Sequence, residues 1–461
     1  MIGRADLDDR VRRWGLRDDV VEKDYVLGWM LWGIGADPLL GSTWIFKGGT
    51  CLKKCYLETY RFSEDLDFTV LEQGPIQPDE VIEALLPVLD RVGQESGIDF
   101  TVRAPTLRTR PVGRSAEGRV YYRGPRDAPS PASIKLDLTK DELLVRPPVL
   151  RPISHDYPEV LPEPAHVRCY GFEEVFAEKL RAMGERARPR DLYDIVNLFR
   201  RPDFRQHADL IRDILEQKCA GKGIPVPSVE AISASPMFGE LQAEWANMLA
   251  HQLQALPEFD QFWNEMPRLF AWLNGAAAED EPELAPLGAD DEIWTPPATF
   301  WTTGAGNRLE PIRFAAANHL LVQLGYDGET RLIEPYSLRR TRDGNIVLHA
   351  IRADSGAHRS YRVDRIQSVT ATTRPFTPRY VIEFASVGPI AVSPATVPTP
   401  RPQRTSARRT TRRPGPTYIV VCSVCGKRFR RVRRSTRLRP HKDPSGSWNC
   451  SGTTGYIDRI E

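Results

Sequence analysis

The 461-residue chain is 41% apolar and 27% charged, with a formal net charge of +2, which is enough apolar material for roughly two to four separately cored domains. No apolar run approaches the roughly 18 residues of a membrane span and the N-terminus lacks secretory design, so composition argues against a membrane protein and a cytoplasmic one is expected. The near-neutral total conceals a basic tail: fifteen Lys and Arg and no acid fall between Arg401 and Lys442, leaving the remainder at −13.

Residues 1–43 read as helical, with apolar residues at three- and four-residue steps through Val20–Leu31. Core packing is the expected role of this stretch, with Lys23 and Asp24 as the side chains that could instead face a site. Trp44-Ile45-Phe46 then reads as a short strand, Gly48-Gly49 as a turn, and the segment from about Thr50 as an amphipathic helix. A second strand carries Asp65 and Asp67, which share a face because residues two apart on a strand do, while Leu66 and Phe68 face the core. Two carboxylates so close repel unless a cation sits between them, and a hard ion such as Mg²⁺ or Mn²⁺ carrying nucleotide phosphates is the usual resident. Gly48 and Gly49 would let the backbone approach a triphosphate, and Thr50 would cap the following helix or touch a phosphate.

Pro78–Ser96 reads as an amphipathic helix, and Ile98–Val102, Val120–Tyr122 and Ser133–Thr139 alternate like strands. The last of these puts Asp137 on one face with Lys135 and Thr139. Arg103, Arg108, Arg110, Arg114, Arg119, Arg123 and Arg126 fall among these strands, either as a solvated edge or as a track for an RNA backbone. From Gly171 the pattern turns helical: Phe172, Val175, Phe176, Leu180 and Met183 form one stripe, with Lys179 off its centre. Pro189 opens a further helix whose Asp191 and Asp194 read, on electrostatics alone, as residues near its positive end.

FKGGTCLKKCY followed by RFSEDLDF resembles the AbiEii toxin family, a branch of the DNA polymerase β-type nucleotidyltransferase superfamily. EEVFAEKLRA and RPRDLYDI resemble that family's two later motifs, so the likeness covers about residues 20 to 215. It implies an α+β fold in which Asp65, Asp67 and Asp137 gather around Mg²⁺ or Mn²⁺ and Gly48, Gly49 and Thr50 cradle an NTP. Lys179 would bind the triphosphate or stabilise departing pyrophosphate, and Asp191 would orient or deprotonate the attacking hydroxyl, with Asp194 as its substitute.

Residues 216–275 continue as helices in which Trp245, Trp263 and Trp272 are expected core aromatics. An acidic linker follows, then strand-like segments over about 305–385 separated by turns such as Asp327-Gly328 and Asp343-Gly344-Asn345. RLIEPYSLRR, GNIVLHAIR and YRVDRIQSV resemble the WYL domain, an SH3-like β-barrel, with Ile346-Val347-Leu348 where the name-giving tripeptide would stand. That likeness implies a groove for nucleic acid or a nucleotide-like ligand around Tyr336, Arg339, His349, Arg362 and Arg365. A plain structural barrel with a charged exterior is the alternative. Residues 386–417, rich in Pro, Thr, Ala and Arg, read as a basic tether.

Of the seven cysteines, Cys51, Cys55, Cys169 and Cys219 read as scattered buried thiols, whereas Cys422, Cys425 and Cys450 combine with His441 at metal-ligand spacing. Three thiolates and an imidazole make a closed tetrahedral Zn²⁺ set. Arg428, Arg430, Arg431, Arg433 and Arg434, with Phe429 and Trp448, surround it as candidate nucleic-acid contacts. His155, His166 and His207 lack such company. The expected division is 1–170 nucleotidyltransferase core, 171–275 helical domain, 276–304 acidic linker, 305–385 WYL-like barrel, 386–417 basic linker and 418–461 zinc-binding domain. The expected function is transfer of NMP from an NTP to a nucleic-acid hydroxyl. The family points to a tRNA 3′ end, to a toxin or phage-defence role, and to an antitoxin as a further partner. The alternatives are a protein hydroxyl as acceptor, or a nucleic-acid-binding regulator with an inactive transferase fold.

Overall fold

A computed structural model describes residues 1–57, 61–111, 114–201, 207–276, 286–294, 304–383, 417–431 and 434–460. The basic tether lies almost wholly outside the described residues, as does Arg433, whereas residues 286–294 of the expected acidic linker are described and carry a strand, Glu292–Ile293, that pairs with the second sheet. Contacts divide the chain into two compact units, Met1–Ala395 and Thr396–Glu461.

The first unit is built on a seven-stranded mixed sheet in the order β3-β4-β5-β2-β1-β7-β6. Its strands are β1 (Trp44–Lys47), β2 (Asp65–Val70), β3 (Thr106–Thr109), β4 (Ser115–Tyr122), β5 (Ala132–Thr139), β6 (Val149–Pro152) and β7 (His166–Cys169). Trp44, Ile45 and Phe46 are all buried, as the centre of a sheet covered on both faces requires. Helix α1 (Arg4–Trp14) precedes α2 (Asp18–Ala36), which is buried from Val20 to Ile34 apart from Lys23 and packs on α5 (Pro78–Ser96) and β7. The short helix α3 (Leu40–Thr43) leads into β1. Pro78 at the first turn of α5 and Gly97 with φ of +74° just beyond it mark the two ends of that helix.

Two local expectations shift. The helix of the glycine turn begins at Gly48 itself, as α4 (Gly48–Cys51), and widens at once into a π-turn at Leu52–Tyr56. Ile98–Val102 makes only an isolated bridge between Asp99 and Arg123. There Asp99 Oδ1 accepts from the Thr101 backbone N–H at 2.8 Å and from the Thr101 hydroxyl at 2.7 Å, a local turn that competes with a ladder.

Helices α6 (Phe172–Arg186), α7 (Pro189–Phe199) and α8 (Ala208–Lys222) follow, with the predicted α6 stripe fully buried. Trp245 is buried and donates Nε1–H to the Pro257 carbonyl at 2.8 Å, while Trp263 and Trp272 pack at the edge of the core.

The second sheet holds β8 (Glu292–Ile293), β9 (Leu320–Tyr326), β10 (Glu329–Arg340), β11 (Ile346–Arg352), β12 (His358–Arg362) and β13 (Ile366–Pro375). Its order is β12-β11-β10-β9-β13 with β8 on β10, and the helix Gly304–Ala317 packs on β9 and β13. The expected barrel is an open sheet among the described residues. β13 loses register beyond Ala371, and the expected strand at Tyr380 contributes only a bridge between Val381 and Pro286, so β12 and β13 remain edges.

The second unit has a three-stranded sheet, β15-β14-β18, from β14 (Tyr418–Cys422), β15 (Arg428–Arg431) and β18 (Gly455–Ile460), and a short pair β16 (His441–Lys442) and β17 (Asn449–Cys450). Among the described residues no helix is long and apolar enough to cross a membrane.

Candidate active site

β2 runs antiparallel to β1 and parallel to β5, and the register sets Lys47 opposite Asp67, Asp67 opposite Asp137, and Asp137 opposite Glu117. Strand neighbours in register share a face and stand about 4.8 Å apart, so these four side chains form one row across the sheet. Asp65 lies opposite Lys135 on the same face. Leu66, Phe68, Leu136 and Leu138 fill the opposite face and are buried. Burial, then the Asp137 and Asp65 charges, push the Asp67 carboxyl up to about 6, with Lys47 and Lys179 pulling the other way. Asp65 is also raised, first by burial, against the pull of Lys135 and Arg190. Asp137 is engaged by Arg110 and by Lys135 Nζ, the latter at 2.5 Å.

The glycine turn leans directly on this row. Gly48 has φ of +82°, and a Cβ built there would lie 2.4 Å from Asp67 Oδ2. A Cβ on Gly49 would lie 2.3 Å from the Arg61 guanidinium. Neither position accepts a side chain without displacing part of the site. Thr50 is buried, and its hydroxyl donates to the Asp65 carbonyl at 2.5 Å, so it ties turn to acid strand where a phosphate contact was one of the expected roles.

The helical half supplies cations. Lys179 Nζ meets Asp191 Oδ1 at 3.0 Å and Asp194 Oδ2 at 2.7 Å. Asp191 also accepts from Arg186 at 2.8 and 3.1 Å. Asp194 takes a bidentate pair from Arg61 at 2.6 and 2.8 Å, and Arg61 reaches on to Gln252 Oε1 at 3.1 Å. Both aspartates are fully buried. Burial alone would raise them, but Lys179 and Arg186 hold Asp191 low, and Arg61 and Lys179 hold Asp194 low. Burial would lower the Lys179 ammonium, and Asp194 and Asp191 raise it.

Gly48, Gly49, Asp65, Asp67, Asp137, Lys179 and Asp191 line one open cleft of about 740 Å³. Lys47, Arg61, Arg186, Arg188 and Arg190 line it too, none of them singled out by the sequence. RFS and RPRD were the available signals, because arginines adjoining acid motifs sit where those acids point. Arg190 differs from the others: its Nε is buried without a hydrogen-bond partner among the described residues, and burial followed by Arg61 lowers its pKa. Of the strand arginines only Arg110 reaches the cleft. Arg108 and Arg110 hold Glu117, Arg114 holds Glu72, Arg126 holds Asp18 and Glu22, and Arg103 lies 4.1 Å over the Tyr121 ring. Lys23 pairs with Glu64 at 2.5 Å and Asp24 with Lys54 at 2.8 Å, away from the cleft.

In the second sheet the expected groove residues do not converge on open space. Tyr336 is buried with its hydroxyl on Glu334 at 2.7 Å, and Arg339 is buried and bonded to Glu383 and to the Asp291 carbonyl at 2.7 Å. His349 is buried between Asp291 Oδ2 and His358 Nε2, each at 3.0 Å. Arg362 pairs with Asp364 at 2.7 Å, and Arg365 is exposed.

In the second unit Cys422, Cys425, His441 and Cys450 place four ligand atoms within 4.8 Å of one another. Cys422 and Cys450 sulfurs are 3.7 Å apart and Cys425 Sγ is 3.4 Å from His441 Nε2. Zn–S bonds of about 2.3 Å at tetrahedral angles give edges of about 3.8 Å, so the donors suit Zn²⁺. The Arg439 carbonyl 2.8 Å from His441 Nδ1 is placed to accept a hydrogen bond from an N–H on that nitrogen, which leaves Nε2 for the metal. Arg428, Arg430 and Arg434 are exposed here and Arg431 is half-buried.

Two family models match the sequence: nucleotidyl transferase AbiEii toxin, type IV toxin–antitoxin system, over residues 30–265, and WYL domain over residues 307–371. Among solved structures the chain is similar to MenT4, a nucleotidyltransferase toxin from Mycobacterium tuberculosis, at 22% identity over 60% of this chain and 91% of that one, with a TM-score of 0.43. It is also similar to proteasome accessory factor B/C of Arthrobacter aurescens, at 17% identity over 40% of this chain and 26% of that one, with a TM-score of 0.15. No curated protein matches.

Proposed function

Because the chain belongs to the AbiEii family of nucleotidyltransferase toxins, we propose that it transfers NMP from an NTP to an RNA hydroxyl, specifically a tRNA 3′ end, with Mg²⁺ or Mn²⁺ bound. The observation that carries this reading is the row Lys47, Asp67, Asp137 in one cleft with Asp65 and Lys179. The donor set fits a hard divalent ion: it is all oxygen, and the burial and neighbouring carboxylate charges that raise Asp67 are both offset by a bound cation. Asp65, Asp67 and Asp137 would hold the ion, which when bound would neutralise phosphate charge.

The chain's own groups do the rest. Gly48 and Gly49 leave room for a triphosphate beside the acids. Lys179, Arg186 and Arg190 present positive charge where pyrophosphate accumulates its own negative charge. The acceptor oxygen bonds to the α-phosphorus as the bond to the bridging oxygen breaks, pyrophosphate departs, and the hydroxyl proton passes to a carboxylate of the trio. Asp191 does not suit proton abstraction: it is fully buried, bonded to Lys179 and Arg186, and held low by both. It acts here as a positioning residue for those two cations.

The second unit fits RNA capture. Its register sets Arg428 and Tyr456 on either side of Val421, and Arg430 and Arg459 on either side of Ile419, so one face carries three guanidinium groups and an exposed tyrosine. Such a face meets phosphates and stacks on a base. A cognate antitoxin completes the proposed partners.

The test is incubation of each α-labelled NTP with total RNA and Mg²⁺, beside Asp65→Ala. Label is expected in RNase-sensitive material from the unaltered protein alone. RNase-resistant label that migrates with protein would move the acceptor to a protein hydroxyl. A biological effect that survives both Asp65→Ala and Asp67→Ala would replace catalysis by binding.

A further inference from the structure

Three of the four cysteines outside the zinc-type cluster, expected to be scattered, converge. Cys51, Cys55 and Cys169 are each fully buried, and their sulfurs lie within 4.8 Å of one another. They come from three segments that wrap the catalytic turn. Cys51 closes α4, three residues after Gly48, and Cys55 lies in the π-turn that follows. Cys169 ends β7 in register with Phe46, next to Lys47. The pocket also has a cation of its own. Arg151 donates to the Cys55 carbonyl at 3.2 Å and lies 4.6 Å over the Tyr56 ring, while the Tyr56 oxygen is 3.8 Å from Cys169 Sγ.

We propose that Cys51, Cys55 and Cys169 form a second, internal metal site that takes a thiophilic ion in three-coordinate geometry and braces the glycine turn from behind. Metal–sulfur bonds of about 2.3 Å in a trigonal plane need sulfur–sulfur edges of about 4 Å, so the trio closes on an ion with side-chain adjustments of under about 1 Å. Soft thiolates select ions such as Zn²⁺, Cu⁺ or Cd²⁺ over Mg²⁺, which keeps this site chemically separate from the oxygen-lined cleft. Binding releases one proton from each thiol and forms three metal–sulfur bonds. A dication with three thiolates carries one net negative charge, and the Arg151 guanidinium is the matching positive one. The ion enters before the core closes, during folding.

The experiment uses full-length protein expressed in Cd²⁺-supplemented medium and dialysed against excess Mg²⁺, which removes soft ions from carboxylates but not from thiolates. Bound Cd²⁺ is counted per chain by mass spectrometry. The unaltered protein is expected to retain a second ion beyond that of the Cys/His cluster. Cys422→Ser/Cys450→Ser is expected to retain a single ion, and adding Cys55→Ala to that double variant is expected to remove it. A Cys422→Ser/Cys450→Ser protein with no bound Cd²⁺ overturns the proposal, even if the Cys55→Ala protein fails to fold. Equal retention with and without Cys55→Ala in folded protein also overturns it.

Discussion

The cleft of the first sheet and the interior of the second sheet use the same residue types to opposite ends. In the second sheet Arg339, Tyr336 and His349 are buried and answered: a glutamate for the arginine, a glutamate for the tyrosine, and an aspartate with a second imidazole for the histidine. In the cleft the two carboxylates of β2 stand beside Asp137, Asp67 is raised by burial and then by those neighbouring charges, and Arg190 keeps a buried Nε without a partner among the described residues. Internal satisfaction spends a polar side chain on stability, whereas leftover charge of both signs is what a nucleotide and its cation would complete. Burial of a polar group therefore does not by itself mark a site in this molecule. Lack of completion does.

The largest effect should come from the least satisfied group. Asp67→Asn should lower NMP transfer on the order of 10³-fold, yet leave the metal-free protein at least as stable, because it removes a repelling charge from beside Asp137. Activity within tenfold of the unaltered enzyme, or a clear loss of metal-free stability, would erase the distinction between the two regions. Lys179→Met should cost both. It withdraws a cation from the cleft and leaves Asp191 and Asp194 buried with fewer counter-charges, a change that typically costs about 3 kcal/mol. Denaturant unfolding of this variant, compared with Asp67→Asn, separates a charge kept for ligand from one that also holds the helices.

How much of this the sequence revealed differs between the regions for a physical reason. Strand alternation and the spacing of Asp65 and Asp67 define a face locally, so the acid pair and the glycine turn were legible. Asp137 could be assigned to a face but not to a neighbour, because its adjacency to Asp67 depends on a parallel pairing across about seventy residues. Arg61 and Arg190 stood in plain view within the motifs, but a guanidinium's partner is a tertiary fact. The convergence of Cys51, Cys55 and Cys169 was invisible for the same reason: only the pairing of β1 with β7 brings Cys169 to the helix. Tyr336, Arg339 and His349 misled in the other direction. The WYL likeness implied a groove around them, whereas Arg339 and His349 have counter-groups in distant segments, Glu383 and Asp291, and Tyr336 has its own two residues away in Glu334.

A smaller effect than either substitution, and a sharper one, is the response to pH. The Asp67 carboxyl is raised to about 6 against about 3.9 in an unfolded chain. Without divalent cation, the folded state therefore holds this proton more tightly than the unfolded one. Its contribution to stability is full below about pH 4 and is lost as pH rises through about 6. Mg²⁺ should consequently raise the melting temperature more at pH 7 than at pH 5, and the Mg²⁺ concentration needed for half-maximal NMP transfer should rise as pH drops through about 6. Asp67→Asn should remove the pH dependence of the Mg²⁺ effect.

The smallest effect belongs to His349, and its sign is reversed. Burial, then the neighbouring His358, lower its pKa, with Asp291 opposing. The unfolded chain takes up this proton first, near the ordinary histidine value of about 6.5, so the contribution to stability is present above that pH and is lost as pH falls. His349→Gln keeps a polar group that can bond to Asp291, and should reduce stability by about 1 kcal/mol at pH 7 while flattening the decline toward pH 5. NMP transfer should stay within about twofold, because His349 lies outside the cleft and its partners are spent on one another. A large loss of transfer in His349→Gln would mean that the second sheet acts on the chemistry of the first. The satisfied pair of histidines would then have to be read as a coupling element, since nothing in its own charge balance is left over for a ligand.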